Sequence, residues 1–220
     1  MILAIFDFDG TICDTKDSIL NITDLTYKSL NKNISKGLIK DTLKLGCSLE
    51  ETFSVINTSL NLDFDIDFLV KTYRNLYNNN GYKYIKVYEG ITPLLDFLKK
   101  KDVTILILSN KGSESIEKIL KYNKIGGYID EVIGADFCKY NKPNSKLFSE
   151  VISAKYPNIE KEKTYIIGDT LTDIKFAKNS NLKSCFVDYG YGDTNECIQL
   201  QPDIVVHSPK ELFKIQNLIK

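Results

Sequence analysis

The 220-residue chain lacks a net charge, because its 29 lysines and arginines balance 29 aspartates and glutamates. A balanced chain has no overall field that draws it to nucleic acid or to an anionic membrane, so neither partner is expected and any bound anion needs a local site. The five cysteines contain no CxxC pair, and an odd number without such pairs fits neither a disulfide framework nor a zinc cluster. This cysteine usage predicts a reducing, cytoplasmic location.

Long apolar runs are also missing. The chain begins with a short apolar run that has no basic lead-in and no cleavage site, so we predict no signal peptide. No run approaches the roughly 20 residues that span a bilayer. The chain does have 43% hydrophobic and 26% charged residues, which is typical of a globular protein with a buried core. Its length suffices for one domain of about 100 to 150 residues and a smaller one.

Short β-rich runs predict a buried parallel sheet. Several of them are continuously apolar rather than alternating, as is typical of strands covered on both faces. Helical patterns lie between the later runs, and one helix is predicted to begin with Thr92 as its N-cap and Pro93 as its first residue. The predicted strands are residues 2–6, 103–108, 131–133, 164–167, 183–187 and 203–206. This alternation predicts an α/β fold with a doubly wound, Rossmann-like parallel sheet.

The segment after the first strand breaks this alternation. Roughly 80 residues without a convincing strand follow it, which is too long for a loop. Apolar residues in this segment have helical spacing, for example Leu49, Phe53 and Ile56, and polar breaks divide it into about four helices. We therefore predict an all-helical domain at residues 17–82, with a loop at residues 78–81. The α/β core is then formed by residues 1–16 and 83–220.

Two carboxylates follow the first predicted strand directly, in the sequence DFDGT at residues 7–11. Open α/β sheets bind their ligands at the carboxyl ends of the strands. Asp7 and Asp9 project to the same side if the strand continues, and because they repel each other we expect a metal ion or a shared proton. Gly10 permits a sharp turn and exposes backbone N–H groups that can hold an anion. A turn with side-chain caps is the alternative interpretation.

Further polar residues follow later strands or lie between them. They are Ser109, which ends the strand 103–108, then Lys142, and then Asp169 and Asp173 in the sequence GDTLTD after the strand 164–167. Because parallel strands end at one edge of a sheet, Ser109 and the acidic residues are expected close to Asp7. Individually, the serine has a simpler interpretation as a helix cap and the lysine as a solvated side chain. Together these residues supply a nucleophile, an acid/base, a metal site and a cation for phosphate.

This ordered set resembles the motifs of the haloacid dehalogenase superfamily of phosphohydrolases. The family pattern is DxDGT, a hydrophobic strand that ends in Ser or Thr, a lysine, and an acidic GDxxxD motif. The chain meets this pattern at Asp7, Asp9, Ser109, Lys142, Asp169 and Asp173. The helical insert is similar to the family's helical cap, so the resemblance covers essentially the whole chain. Asp14-Thr15 and the sequence YGYG at residues 189–192 resemble the phosphoglycolate-phosphatase-like branch.

The resemblance implies a Mg²⁺-dependent phosphomonoester hydrolase that acts through an aspartyl-phosphate. Asp7 is then the nucleophile, and Asp9 is the general acid/base that protonates the leaving oxygen and later activates water. Mg²⁺ is expected on the Asp7 carboxylate, on the backbone carbonyl of Asp9 and on Asp169. Asp173 is expected either as a further ligand or as a hydrogen-bond acceptor behind the ligands.

The resemblance also implies how a substrate is held. Ser109 and Lys142 are expected to bind the phosphoryl oxygens. The cap is expected to close over the site and to contact the leaving group through the turn at residues 44–48. The residues that we predict to contact substrate are Gly10, Thr11, Asn110, Lys44 and Gly46. Arg74, the only arginine, either clamps a second anionic group or is a solvated helix residue, and Cys13 is expected to be small, buried and apolar.

The substrate hypothesis is a small phosphorylated metabolite of the phosphoglycolate kind, with several alternatives left open. Sugar-phosphate mutases of the family carry a histidine early in the cap and an arginine in the cap loop, whereas the only histidine here is His207 and Leu49 follows Gly46 by three residues. Phosphonate-cleaving enzymes, pyrophosphatases and 5′-nucleotidases of the family also remain open. A receiver-like or non-catalytic phosphate-binding protein is the alternative from another class. The chain is expected to be a monomer or a homodimer.

Overall fold

The computed structural model describes residues 2–82 and 85–218. In chain order the strands are β1 (Leu3–Phe6), β2 (Cys13–Asp14), β3 (Lys86–Val87), β4 (Thr104–Leu108), β5 (Glu131–Ile133), β6 (Thr164–Gly168), β7 (Lys183–Val187) and β8 (Ile204–Val206). Six of them form a parallel sheet in the order β5-β4-β1-β6-β7-β8. Five predicted strands contain one of these six each, and the sixth, 164–167, ends one residue before β6 does, so the predicted doubly wound α/β sheet is confirmed.

The helices cover both faces of the sheet and fill the segment after β2. They are α1 (Lys16–Lys28), α2 (Lys36–Leu43), α3 (Leu49–Ser59), α4 (Ile66–Leu76), α5 (Ile91–Lys100), α6 (Ser113–Tyr122), α7 (Ser153–Lys155), α8 (Leu171–Ser180) and α9 (Thr194–Gln199). A π-helical stretch at Leu147–Ile152 precedes α7, and a 3₁₀-helix at Pro209–Leu218 follows β8. Among the described residues, no helix is both long and apolar enough to cross a membrane.

Strand β1 lies in the middle of the sheet and is buried on both faces. Leu3 and Ile5 belong to one apolar cluster, whereas Ala4 and Phe6 belong to the cluster on the opposite face. Phe6 pairs with Ile107 of β4 and with Ile167 of β6. Because the three strands are parallel and in this register, the residues that follow them reach the same edge of the sheet.

Helices α1 to α4 form an insert between β2 and β3, as the helical spacing predicts. Aromatic side chains fill its interior: the Tyr27 and Phe53 ring centroids are 5.8 Å apart, and those of Phe53 and Tyr73 are 5.9 Å apart. The strands β2 and β3 pair antiparallel and so join the two ends of the insert. The sequence patterns did not predict this two-stranded ribbon, because two-residue strands carry no periodicity.

The predicted loop at residues 78–81 is wrong, because a π-helical turn at Tyr77–Gly81 continues α4. Tyr77 is buried and its ring stacks on Tyr73 with centroids 5.6 Å apart. The Ser18 hydroxyl also donates to the Gly81 carbonyl at 2.8 Å. This packing outweighs the low helix propensity of the three asparagines and the glycine. The predicted boundary between residues 82 and 83 adjoins residues 83 and 84, which lie outside the described residues.

The predicted start of α5 is wrong by two residues. The helix begins at Ile91, and its N-cap is Gly90, which has a φ of 99°. Thr92 is therefore inside the helix. Pro93 still lies in the first turn, where its missing N–H has no intrahelical partner to lose.

Candidate active site

A cavity of about 120 Å³ lies over the carboxyl edge of the sheet, between the sheet and the helical insert. Five predicted site residues line it from the sheet side, namely Asp7, Asp9, Ser109, Asn110 and Lys142. Residues of the insert line the opposite side and include Ile19, Thr23, Ile39, Gly46, Tyr73 and Arg74. The Asp7 N–H donates to the Ile167 carbonyl at 2.8 Å, so the β1 ladder continues to Asp7 and fixes its position at this edge.

The Lys142 ammonium group joins two buried carboxylates. Its Nζ donates to Asp7 Oδ1 at 2.8 Å and to Asp173 Oδ1 at 2.5 Å. Burial by itself lowers the pKa of Lys142, but the carboxylates of Asp173 and Asp7 outweigh it, so the pKa is raised and the lysine stays charged. Burial raises the pKa of Asp7 to about 6, and the nearby Lys142 offsets only part of this effect. The charged Lys142 ammonium group therefore lies against the carboxyl group of Asp7, which burial shields from water.

Three carboxylates cluster beside this lysine. Asp7, Asp169 and Asp173 each offer one oxygen, and these oxygens lie within 4.8 Å of one another. Burial raises the pKa of Asp169 well above its ordinary value, and repulsion by Asp7 and Asp173 adds to the increase. The Lys142 ammonium group thus contacts two of these three buried carboxylates, Asp7 and Asp173. This donor set fits a hard divalent cation with oxygen ligands, such as Mg²⁺.

The two oxygens of Asp173 already have protein partners. Oδ1 accepts from Lys142, and Oδ2 accepts from the Thr170 N–H at 3.0 Å and from the Thr170 hydroxyl at 2.7 Å. The contact with Thr170 is a capping box at the start of α8. This arrangement lets Asp173 orient Lys142. The occupied oxygens of Asp173 do not set it apart from Asp169 as a metal ligand, because both oxygens of Asp169 also accept hydrogen bonds.

The turn after β1 packs around Asp169. Gly10 has a φ of 83°, and a Cβ there would lie 2.3 Å from Asp169 Oδ2. Its N–H donates to the Cys13 carbonyl at 2.9 Å, so this amide already has a partner. Thr11 is fully buried, and its hydroxyl donates to Asp169 Oδ1 at 3.1 Å. Both residues thus support Asp169, and their contacts with a substrate stay predictions.

Asp169 has further support from a late loop. The Tyr191 N–H donates to Asp169 Oδ2 at 2.7 Å, and its hydroxyl accepts from the Thr15 N–H at 2.5 Å. A Cβ at Gly190 would lie 2.3 Å from Asp169 Oδ2, so this position needs a glycine. Tyr191 thus connects an acidic residue of the site with the start of the helical insert.

Asp9 has a partner that the motif analysis missed. Its Oδ1 accepts from Lys111 Nζ at 3.2 Å, and the same Nζ lies 4.3 Å from the centroid of the Tyr77 ring. Burial lowers the pKa of Lys111, but the Asp9 carboxylate together with Tyr77 and Tyr73 outweighs this effect, so the pKa is raised. Lys111 follows Ser109 by two residues, just after the end of β4. This position at the carboxyl edge of the sheet was the signal in the sequence that could have indicated a site residue.

Asn110 connects the insert with the sheet. Its Nδ2 donates to the Gly46 carbonyl at 3.0 Å and to the Lys142 carbonyl at 3.1 Å, while its Oδ1 accepts from the Lys142 N–H at 3.0 Å. Gly46 has a φ of 63°, and a Cβ there would lie 2.4 Å from the Thr170 hydroxyl oxygen. Gly46 lies at the cavity as predicted. The side chain of Asn110 is occupied by backbone groups, so its geometry suits positioning rather than substrate contact.

The remaining candidates lie farther from the centre. Lys44 is not among the residues that line the cavity, because its Nζ pairs with Asp41 at 3.0 Å on the exposed side of α2. Arg74 lines the cavity and pairs with Glu50 at 3.2 Å, and both side chains are about half exposed. Cys13 is fully buried, and burial raises the pKa of its thiol, as expected for a small apolar residue.

Comparisons with known proteins agree with this architecture. Residues 4–187 match the family model described as haloacid dehalogenase-like hydrolase. The chain is 28% identical to a phosphoglycolate phosphatase from Aquifex aeolicus, over 99% of this chain and 97% of that protein. It is 26% identical to pyrophosphatase PpaX from Halalkalibacterium halodurans, over 96% and 95% of the two chains. The crystal structure of a predicted phosphoglycolate phosphatase from Haemophilus somnus shares the fold, with a TM-score of 0.86, 18% identity and 98% coverage of both chains.

Proposed function

Because the chain belongs to the haloacid dehalogenase-like hydrolases, we propose that it hydrolyses phosphate esters of small metabolites, with phosphoglycolate as the first substrate to test. The observation that carries this proposal is the buried contact of Lys142 with Asp7, beside Asp169 and Asp173. A phosphate dianion can approach a carboxylate nucleophile only where positive charge offsets the repulsion. Lys142 supplies one such charge at the nucleophile itself.

The chemistry is assigned to the two aspartates after β1. Asp7 attacks phosphorus and becomes an aspartyl-phosphate, while Asp9 gives a proton to the leaving oxygen. Asp9 then takes a proton from the water that hydrolyses this intermediate. Ser109 and Lys142 hold the phosphoryl oxygens, and both line the same cavity as the two aspartates. Lys111 holds the Asp9 carboxylate between these steps.

Mg²⁺ is the cofactor that fits the acidic cluster. Asp7 and Asp169 would hold it with their carboxylates, together with the backbone carbonyl of Asp9, and Asp173 would orient Lys142. When bound, the metal supplies positive charge to the phosphoryl oxygens and to the Asp7 carboxylate. Hydrogen bonds from Thr11 and from the Tyr191 N–H hold the Asp169 carboxylate, and Gly10 and Gly190 leave room for it.

The helical insert is proposed as a cap that selects small substrates. We propose residues 17–82 as this cap and residues 1–16 and 83–220 as the core. The cavity has about 120 Å³, which is less than the roughly 150 Å³ of a cavity that holds one benzene molecule. Among phosphate esters, it therefore favours small leaving groups such as glycolate or phosphate over a nucleoside.

Phosphate release from a panel of esters tests the proposal. The panel is phosphoglycolate, pyrophosphate, a hexose phosphate, a nucleoside monophosphate and an aryl phosphate, each with and without Mg²⁺. We expect Mg²⁺-dependent turnover that Asp7→Asn abolishes, because the amide cannot act as the nucleophile. Asp41→Asn, an exposed aspartate on α2, is the matched control and should retain turnover. A folded parent protein that hydrolyses no ester, or an active Asp7→Asn variant, would contradict the proposal.

Pyrophosphatase activity is the second candidate. The relative from Halalkalibacterium halodurans is named pyrophosphatase PpaX, and phosphate is one of the small leaving groups that the cavity favours. The same panel decides between the two, because the better substrate has the higher kcat/KM. A cytoplasmic location and a monomeric or homodimeric state stay predictions.

A further inference from the structure

Thr23 on α1 has a buried hydroxyl group without a partner. The residue is fully buried, and among the described residues no group forms a hydrogen bond with its Oγ1. Thr23 also lines the cavity on the side of the insert. Buried polar groups are nearly always paired in folded proteins, because an unpaired one loses its hydrogen bonds to water. The position of this hydroxyl therefore calls for an explanation.

Other helical threonines of the insert satisfy their hydroxyl groups locally. Thr26, Thr42 and Thr52 donate to the carbonyl oxygens four residues earlier, at 2.8, 2.9 and 2.9 Å. This is the usual local bond of a threonine inside a helix. Thr23 does not form the equivalent bond to Ile19, although it stands in the same helix as Thr26. Because Thr23 lines the cavity, its unpaired hydroxyl lies beside the cavity, although it has no accessible surface in the ligand-free fold.

The surroundings of Thr23 restrict what it can bind. Ile19 and Ile39 line the same side of the cavity and offer no hydrogen bonds. A polar ligand atom on this side would lose its hydrogen bonds to water, which costs free energy unless the Thr23 hydroxyl replaces them. Lys111 also lines the cavity, and its Nζ lies over the Tyr77 ring of the insert. The cavity that Thr23 lines therefore also carries a positive charge, which suits an anionic ligand.

We propose that Thr23 is a specificity-determining residue that donates a hydrogen bond to a terminal oxyanion of the leaving group. The inference rests on the proposed function, because it names the class of ester that this site prefers. The preferred substrates are phosphates of short leaving groups that end in a carboxylate or in a second phosphate. Alkyl phosphates of the same length lack the acceptor and gain nothing from Thr23.

Two substitutions at Thr23 distinguish the effect of the hydroxyl group from the effect of the side-chain volume. Thr23→Val removes the hydroxyl and keeps the volume, whereas Thr23→Ser keeps the hydroxyl. We expect Thr23→Val to lower kcat/KM for phosphoglycolate by about tenfold to a hundredfold, as for a lost hydrogen bond to a charged group. Ethyl phosphate replaces the carboxylate by a methyl group, and its kcat/KM should not change. Pyrophosphate, measured in parallel, shows which oxyanion the residue serves.

Thr26→Val is the matched control on the same helix. Thr26 is equally buried, but its hydroxyl is paired within α1 and it is absent from the cavity lining. The control should lower the melting temperature and affect both esters alike. Thr23→Val should keep or raise the melting temperature of the ligand-free protein, because it removes an unpaired polar group. A loss of stability as large as that of Thr26→Val would overturn the assignment of a free hydroxyl.

Outcomes for the two proposals can be told apart. Equal effects of Thr23→Val on phosphoglycolate, pyrophosphate and ethyl phosphate overturn the role of Thr23 but leave the phosphatase intact. A parent protein that hydrolyses none of them overturns the proposed function. Binding then decides the role of Thr23, through the rise in melting temperature that phosphoglycolate or pyrophosphate causes. An equal rise in the parent and in Thr23→Val, or no rise in either, overturns it.

Discussion

Asp7, the candidate nucleophile, is buried, and its negative charge is only partly offset by a neighbouring cation. Lys142 is the cation in contact with it, but Lys142 is shared with Asp173. The pKa of Asp7 is raised from an ordinary value of 3.8 to about 6, first by burial. The raised pKa means that the metal-free folded state binds the proton of this carboxyl group more tightly than the unfolded state does. Ionised Asp7 therefore weakens the metal-free fold, and a bound cation would relieve this cost.

We expect the stability of the metal-free protein to depend on the pH through Asp7. Because its pKa is higher in the folded state, its stabilising contribution is fully present below pH 3.8 and is lost as the pH rises to about 6. The loss amounts to up to about 3 kcal/mol in the free energy of unfolding. Urea unfolding in EDTA between pH 4 and pH 7 measures it. Asp7→Asn should show a smaller decrease over this range, and an identical slope in both proteins would contradict the assignment.

At the scale of elements, the loop between α2 and α3 docks on the start of α8. The Thr172 hydroxyl donates to the Leu45 carbonyl at 2.8 Å, and Gly46 lies directly against Thr170. Asn110 adds a third contact from the end of β4. These contacts hold the insert over the cavity. In the proposed role as a cap, an insert in this position excludes water from a reacting phosphoryl group.

Thr172→Val should weaken this docking without unfolding the protein. One hydrogen bond contributes about 1 kcal/mol, so we expect kcat/KM for the best ester to fall about fivefold. Steady-state kinetics and the melting temperature together check the prediction. Thr164→Val is the control, because its hydroxyl bonds the Glu160 carbonyl and does not contact the insert. A loss of activity in the control as large as in Thr172→Val would contradict the role of the α2–α3 loop in activity.

At the scale of the whole molecule, the site exists only where remote segments meet. Asp7 and Lys142 are 135 residues apart in the sequence, and Thr11 and Asp169 are 158 residues apart. The central position of β1 brings these segments to one edge of the sheet. The three carboxylates that gather there repel one another, so a divalent cation should stabilise the fold as a whole.

Mg²⁺ should therefore raise the melting temperature. A ligand at a hundred times its dissociation constant stabilises the folded state by about 2.7 kcal/mol. For a protein of this size, the shift is roughly 5 to 10 °C. Thermal unfolding with millimolar Mg²⁺ and with EDTA measures it. Asp169→Asn should remove most of the shift, whereas Asp41→Asn should keep it. The absence of any shift in the parent would show that the cluster does not bind this metal.

Several features of the fold could be predicted from the sequence because they depend on local patterns. The apolar run of β1 and the run of β4 predict buried strands, and the spacing of Phe53 and Ile56 predicts a helix of the insert. Because the ends of parallel strands share an edge, Asp7 and Ser109 could be placed near each other before the structure was known. The family motifs then added their chemical roles.

The sequence by itself determined the sheet, the helical insert and the order of the acidic motifs. Strands buried on two faces and amphipathic helices have apolar patterns that are visible within short segments of the sequence. Tertiary structure alone decided the partners of the individual side chains. It directs Thr11 to Asp169, Lys111 to Asp9 and Lys44 to the surface. Within residues 2–82 and 85–218, it also leaves the Thr23 hydroxyl without a hydrogen-bond partner. These contacts join residues whose separation in the sequence follows no period, so only the packing of the complete fold brings them together.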